Sequence, residues 1–110
     1  MKNSPEEEFY LDKSINNLIL FSISSVLEKK EKCTFEELIK ECFTSFPKVF
    51  SFPKYSKWPD ARKLDRPLRS LRKRKLITGN PKSHFNLTKA GRKMTEEMTE
   101  KLRQRRLSFK

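Results

Sequence analysis

Residues 60–75 read DARKLDRPLRSLRKRK, and how this stretch is read decides the fold. Half of its positions are Arg or Lys, yet Leu64, Leu68 and Leu71 return at helical spacing. At about 100° per residue, the three leucines fall within about 60° of one helix face. Arg62, Arg66, Arg69 and Lys73 follow an i, i+4, i+7, i+11 stripe on the opposite side, so the charge is sorted rather than scattered. Like charges four residues apart cost a few tenths of a kcal/mol per pair. Only Asp60 and Asp65 are close enough in sequence to offset that cost, and a polyanion would offset it better.

Pro67 leaves two readings of the helix open. A proline in a helix interior removes one backbone bond and disfavours helical angles at the residue before it. Either the helix is kinked over about 60–75, or residues 60–64 form a short turn and Asp65 caps a helix with Pro67 in its first turn. There the missing N–H would be unpaired in any case. In the second reading the stripe shortens to Arg66, Arg69 and Lys73.

The surrounding composition agrees with a basic, folded domain. A chain of 110 residues is one small domain with a single core. Two Gly, six Pro and 36% charged residues favour helices, while nine Phe and 35% apolar residues argue against disorder. Residues 1–50 carry 7 Lys against 9 acidic residues, a net of −2. Residues 51–110 carry 19 basic against 5 acidic residues, a net of +14. This asymmetry points to a nucleic acid or an anionic membrane as partner.

Working back toward the N-terminus, residues 1–11 are expected to be a flexible arm. A first helix is expected from Asp12 or Lys13 to about Lys30. Ile15, Ile19, Ile23 and Val26 mark its apolar face, with Leu18 and Phe21 widening one side and Leu20 and Leu27 the other. An arc this broad buries two sides, which suggests a second subunit against it. In CTFEEL (33–38), Thr34 is an N-cap, Glu37 completes a capping box, and Cys33 and Leu38 can form a hydrophobic staple. The second helix should run from Phe35 to about Phe46, ending at Pro47.

The segment PKVFSFPKYSKWP (47–59) is expected to be an ordered loop without helix. Lys48, Lys54 and Lys57 could touch phosphates with Tyr55 or Trp58 stacking on a base, but the simpler expectation is that the aromatics pin the loop to the core. Beyond the basic helix, LITG (76–79) and HFNL (84–87) flank NPKS (80–83), the pattern of a β-hairpin with Lys82 at its tip. Thr88 then caps a long helix over about 88–106. Its Met94, Met98 and Leu102 form a narrow stripe suited to ordinary helix packing or a dimer seam. Residues 107–110 are expected to be a frayed tail.

Three pieces, in this order, resemble a winged helix-turn-helix domain of the kind found in prokaryotic transcription regulators. CTFEELIKECF resembles the short edge element and second helix. LDRPLRSLRKRKLI resembles the recognition helix entering the first wing strand, and HFNLTKAGRK resembles the second wing strand and the start of the helix after it. The long 47–59 insertion and Pro67 depart from that pattern. The expected fold is therefore mainly α with a small β-hairpin: a three-helix core, a wing over about 76–87 and a long C-terminal helix, together spanning 12–106.

The resemblance implies sequence-specific binding of double-stranded DNA, with the helix over about 60–75 in the major groove and the hairpin beside it. Arg62, Arg66 and Arg69 are the expected contacts to bases or nearby phosphates, because Arg reads guanine edges with two donors. Lys63, Arg72, Lys73, Lys82 and Arg92 are expected on phosphates. A homodimer through the first and last helices would present two recognition helices to neighbouring half-sites. The alternative is a module that binds structured RNA or a protein through the aromatic loop 50–58.

Other classes are set aside on chemical grounds. No Ser/His/Asp set, Cys–His pair, phosphate-cradling glycine loop or paired carboxylates suggest an enzyme. Cys33 and Cys42 lie nine apart without a CxxC, and His84 is the sole histidine, so neither a metal nor a cofactor is expected. Two reduced, partly buried thiols are expected instead. No membrane span is expected, and the acidic opening MKNSPEEEF is unlike a signal peptide, so the expected location is cytoplasmic.

Overall fold

The computed structural model describes residues 15–108, with side chains described through Lys101; the expected arm at 1–11 and the end of the expected tail, 109–110, lie outside the described residues. The chain is mostly helical with one small antiparallel hairpin. Its elements are α1 (Ile15–Glu28), α2 (Phe35–Ser45), a short α3 (Pro47–Phe50), a 3-10 turn (Ala61–Leu64), α4 (Asp65–Lys73), β1 (Ile77–Thr78), β2 (Asn86–Leu87) and α5 (Lys89–Ser108).

Helix α1 is the axle of the fold. It packs against α2, α4, α5 and β2, burying Leu18, Ile19, Leu20, Ser22, Ile23 and Val26. Most of its apolar arc is thus buried within one chain, while Ile15, Phe21 and Leu27 on its flanks remain partly exposed. Ser22 sits in that arc because its hydroxyl donates to the Leu18 carbonyl at 2.9 Å, which satisfies the one polar group there.

Helix α2 starts at the expected N-cap, Thr34, but only half of the expected capping box forms. The Thr34 hydroxyl accepts from the Glu37 N–H at 3.2 Å, while the Thr34 N–H goes to the Lys32 carbonyl. Cys33, Leu38 and Cys42 are fully buried beneath it. Both cysteines are free thiols, and burial pushes each up to about 12.

The expectation of no helix within 47–59 needs correction, because α3 occupies Pro47–Phe50. Pro47 stops α2 yet suits the first position of the next helix, where its fixed φ is already helical. The short turn swings Phe50 under Phe46, and both rings are buried, their centroids 6.4 Å apart.

The hairpin pairs Ile77 with Leu87 and Thr78 with Asn86. It is shorter than the sequence suggests because Phe85 turns aside to pair with Cys33, its N–H donating to the Cys33 carbonyl at 2.8 Å. Gly79 has φ of +103°, and a Cβ there would lie 1.9 Å from the His84 carbonyl oxygen. No other residue type fits that crossing.

Helices α1 and α4 end in the same way. After α4, Lys75 adopts φ of 60°, its N–H bonds the Arg72 carbonyl, and the Leu76 N–H reaches back to the Leu71 carbonyl. After α1, Lys30 takes the same φ, with Lys30 bonding Leu27 and Glu31 bonding Val26. This six-to-one closure normally carries glycine at the left-handed position. Here a lysine occupies it both times, so the expected extension of the first helix to Lys30 stops at Glu28.

Candidate functional site

The site is built on α4, whose two sides differ completely. Leu64, Pro67, Leu68 and Leu71 are buried against the core. Arg66, Arg69, Arg72 and Lys73 are exposed on the other side. The helix resolves the Pro67 ambiguity in favour of a short turn followed by a new helix. The cap differs from expectation, however. Leu64 stands at the N-cap with no side-chain bond, and Asp65 is already inside the first turn. Asp60 does the capping one turn earlier, accepting from the Arg62 N–H at 3.2 Å. Pro67 lies in the first turn of α4, where an N–H has no helical partner to lose.

The break at Leu64 divides the expected stripe. Arg62 belongs to the 3-10 turn rather than to α4. Its side chain is 81% exposed, but its Nε lies 3.3 Å from the buried Asp60 carboxylate and its guanidinium sits 5.5 Å from the centre of the Phe52 ring. Arg69 is 74% exposed and pairs with Asp65 at 3.2 Å, an exposed i, i+4 contact of little strength. Arg66, Arg72 and Lys73 have no acidic partner among the described residues.

Lys63 serves the fold rather than the open surface. Its Nζ donates to the Val49 carbonyl at 2.8 Å and the Ser51 carbonyl at 3.1 Å, holding the end of α3 against the 3-10 turn. A cation closing the C-terminal end of a short helix also complements its dipole. No pattern in the sequence marks this role, because it depends on a partner fourteen residues away.

The hairpin turn flanks α4 on one side. Arg69, Arg72, Leu68 and Asp65 line a groove of about 240 Å³ with Pro81, Phe85 and Phe35. Lys82 is exposed beside Pro81, and its N–H is held by the Asn80 side chain at 2.9 Å. On the other side, Arg62, Lys63, Arg66 and Ser70 line a wider cleft of about 650 Å³ with Ile15, Asn16 and Val49. Arg92 stands apart from this group. It lines a cleft between α1 and α5 with Glu28 and Glu96.

One junction fixes the end of α4 against the start of α5. The Thr88 hydroxyl donates to the Lys75 carbonyl at 2.7 Å and accepts from the Gly91 N–H at 3.1 Å. The Thr88 N–H bonds the Leu76 carbonyl, and a Cβ on Gly91 would lie 2.1 Å from that same carbonyl oxygen. The sequence LTKAGR is thereby explained: Thr caps two elements at once, and Gly lets the backbone pass.

The stripe proposed for the last helix is spent partly inside the chain, since Met98 is buried and Met94 packs against the core. The side chain of Leu102 lies outside the described residues. Among the described residues no group of His, Cys, Asp or Glu is arranged to hold a metal, and no helix is long and apolar enough to cross a membrane. No family model matches the chain, and neither a curated protein nor a solved structure is significantly similar to it.

Proposed function

We propose that this chain binds double-stranded DNA as a winged-helix module, inserting α4 in the major groove and laying the 80–83 turn along the backbone. The observation that carries the reading is the sorting of α4: Leu64, Pro67, Leu68 and Leu71 go to the core, while Arg66, Arg69, Arg72 and Lys73 share the open side. Among the described residues these cations have two acidic neighbours, Asp60 and Asp65, each already opposite an arginine. A phosphate backbone supplies the missing counter-charge. The Cys33–Phe85 bridge beside the β1–β2 pairing is consistent with a three-membered wing base, and the groove shared by Arg69, Arg72 and Pro81 brings helix and turn within reach of one duplex.

In this reading Arg66 and Arg69 face the bases, Arg72, Lys73 and Lys82 hold phosphates, and Arg62 contributes from the rim. Lys63 is committed to the Val49 and Ser51 carbonyls, and Arg92 lines the α1–α5 cleft away from α4. A homodimer through α1 and α5 would have Ile15, Phe21 and Leu27 as the part of the α1 arc that its own chain leaves partly exposed.

Titration of a labelled duplex across a salt series tests this. Neutralising about six phosphates gives a slope of log K against log salt near about −5. Arg66→Ala with Arg69→Ala should flatten the slope by about 2 and weaken binding at least tenfold with the thermal midpoint unchanged. Lys89→Ala with Lys93→Ala removes the same charge from α5 and should cost much less. Equal losses from the two pairs would mean that net charge alone attracts DNA and would overturn the role of α4. A preferred duplex recovered from a random pool would establish sequence specificity.

A further inference from the structure

The 51–59 loop is tightly built yet holds its two largest rings in solvent. Ser51 pairs with Pro59 across its base, the Phe52 N–H bonds the Trp58 carbonyl at 3.0 Å, and the Trp58 N–H bonds the Tyr55 carbonyl at 3.0 Å. Below it, the Asp60 N–H bonds the Phe50 carbonyl at 2.7 Å, Phe50 is buried, and Lys63 ties down the Val49 and Ser51 carbonyls. Phe50 therefore does the pinning that the sequence suggested for the whole aromatic set. Tyr55 and Trp58 do not: they are 60% and 61% exposed and lie against each other, centroids 5.4 Å apart and planes 26° apart.

We propose that this stacked pair is a platform for an unpaired nucleobase, so that the nucleic acid the chain binds is a duplex carrying a single-stranded extension. Three features support a base over other apolar occupants. The rings are nearly parallel and exposed, so a flat aromatic ligand can lengthen the stack by one member. Lys54 and Lys57 are exposed within the same loop, and residues 47–59 contain no acid, so the phosphates on either side of such a base meet positive charge. Finally, the loop runs directly into Asp60 and Arg62, and Arg62 stacks on Phe52, which makes the platform continuous with the rim of the α4 surface. Paired bases have both faces covered by neighbours in the helix; an unpaired base offers a free face. The duplex half of this inference rests on the reading of α4, whereas the stacking half does not.

Trp58 is the only tryptophan in the chain, so its fluorescence reports the platform alone. Three probes are titrated at one salt concentration: a blunt duplex, the same duplex with a short oligo-dT extension, and oligo-dT by itself. The extension should tighten binding roughly fivefold or more, and the extended duplex and oligo-dT should both quench Trp58. Tyr55→Ala, which keeps the reporter, should remove most of the gain and leave blunt-duplex affinity unchanged. Trp58→Ala should do the same by anisotropy. Both rings are exposed, so neither variant should shift the thermal midpoint. Quenching by oligo-dT that persists when the Arg66 and Arg69 double variant fails to alter duplex binding would sustain the platform while sinking the α4 reading. Equal affinity for blunt and extended duplexes, with no quenching by oligo-dT, would overturn the platform and leave the pair to a protein partner.

Discussion

Helices α2 and α4 differ in what holds their ends and what faces outward. Helix α2 opens on a side-chain cap, carries Glu36 and Glu37 in its first turn, and has Glu41 matched by Lys29 at 2.7 Å. That carboxylate holds the Lys29 ammonium above its ordinary value through a direct hydrogen bond. Helix α4 opens without a side-chain cap, closes through a lysine at positive φ, and presents cations that the described residues only partly balance. Helix α2 is arranged for the stability of the chain itself. Helix α4 keeps an apolar side for the core and leaves its cations exposed on the other.

The largest effect should come from cutting α4's hold on the core. Leu71→Ala should lower unfolding free energy by about 2–5 kcal/mol in chemical denaturation, since the leucine is fully buried. A loss below about 1 kcal/mol would mean α4 is held by its caps and neighbours instead.

Next is a pH effect specific to the underside of α2. Cys33 and Cys42 sit at about 12 in the folded chain because burial disfavours the thiolate, against an ordinary value near 9.0. Because folding raises the value, their contribution is fully present below pH 9 and is lost as pH climbs from 9 toward 12. At pH 10 roughly 1 kcal/mol per thiol should be missing relative to pH 8. The Cys33→Ala, Cys42→Ala variant should lose less between those two pH values, measured by denaturant midpoints. A loss equal to that of the parent chain would place the alkaline sensitivity elsewhere. Both thiols should also resist aromatic disulfide reagents until the chain unfolds.

The smallest effects test the α2 cap and the Asp65–Arg69 ion pair within α4. Thr34→Ala should cost about 1 kcal/mol, because the Glu37 N–H loses its acceptor. Asp65→Ala should change stability by only a few tenths of a kcal/mol, as an exposed pair to Arg69 contributes little. The same change should tighten duplex binding about twofold, by removing a negative charge from the binding side. Weaker binding in Asp65→Ala would mean that Asp65 positions Arg69 rather than competing for it.

The sorted faces of α4, the start of α2 and the mixed helical and hairpin content could all be read along the chain. Each depends on residues a few positions apart, which meet whatever the rest of the molecule does. The roles of Lys63, Thr88 and Phe85 could not be read in this way. Lys63 reaches carbonyls twelve and fourteen residues back, Thr88 bonds a carbonyl thirteen residues away, and Phe85 pairs with Cys33 across the fold. The left-handed lysines at 30 and 75 escaped notice for a related reason, since no glycine marks those helix ends.

Periodicity alone set which residues of α4 go inward and which remain charged at the surface, because a helix repeats at a pitch that neighbours cannot alter. Tertiary structure decided where that helix begins, which of its flanking cations are already occupied, and which aromatics stay in water. Those outcomes turn on backbone carbonyls and ring faces brought together from distant segments, and such meetings have no spacing that a sequence displays.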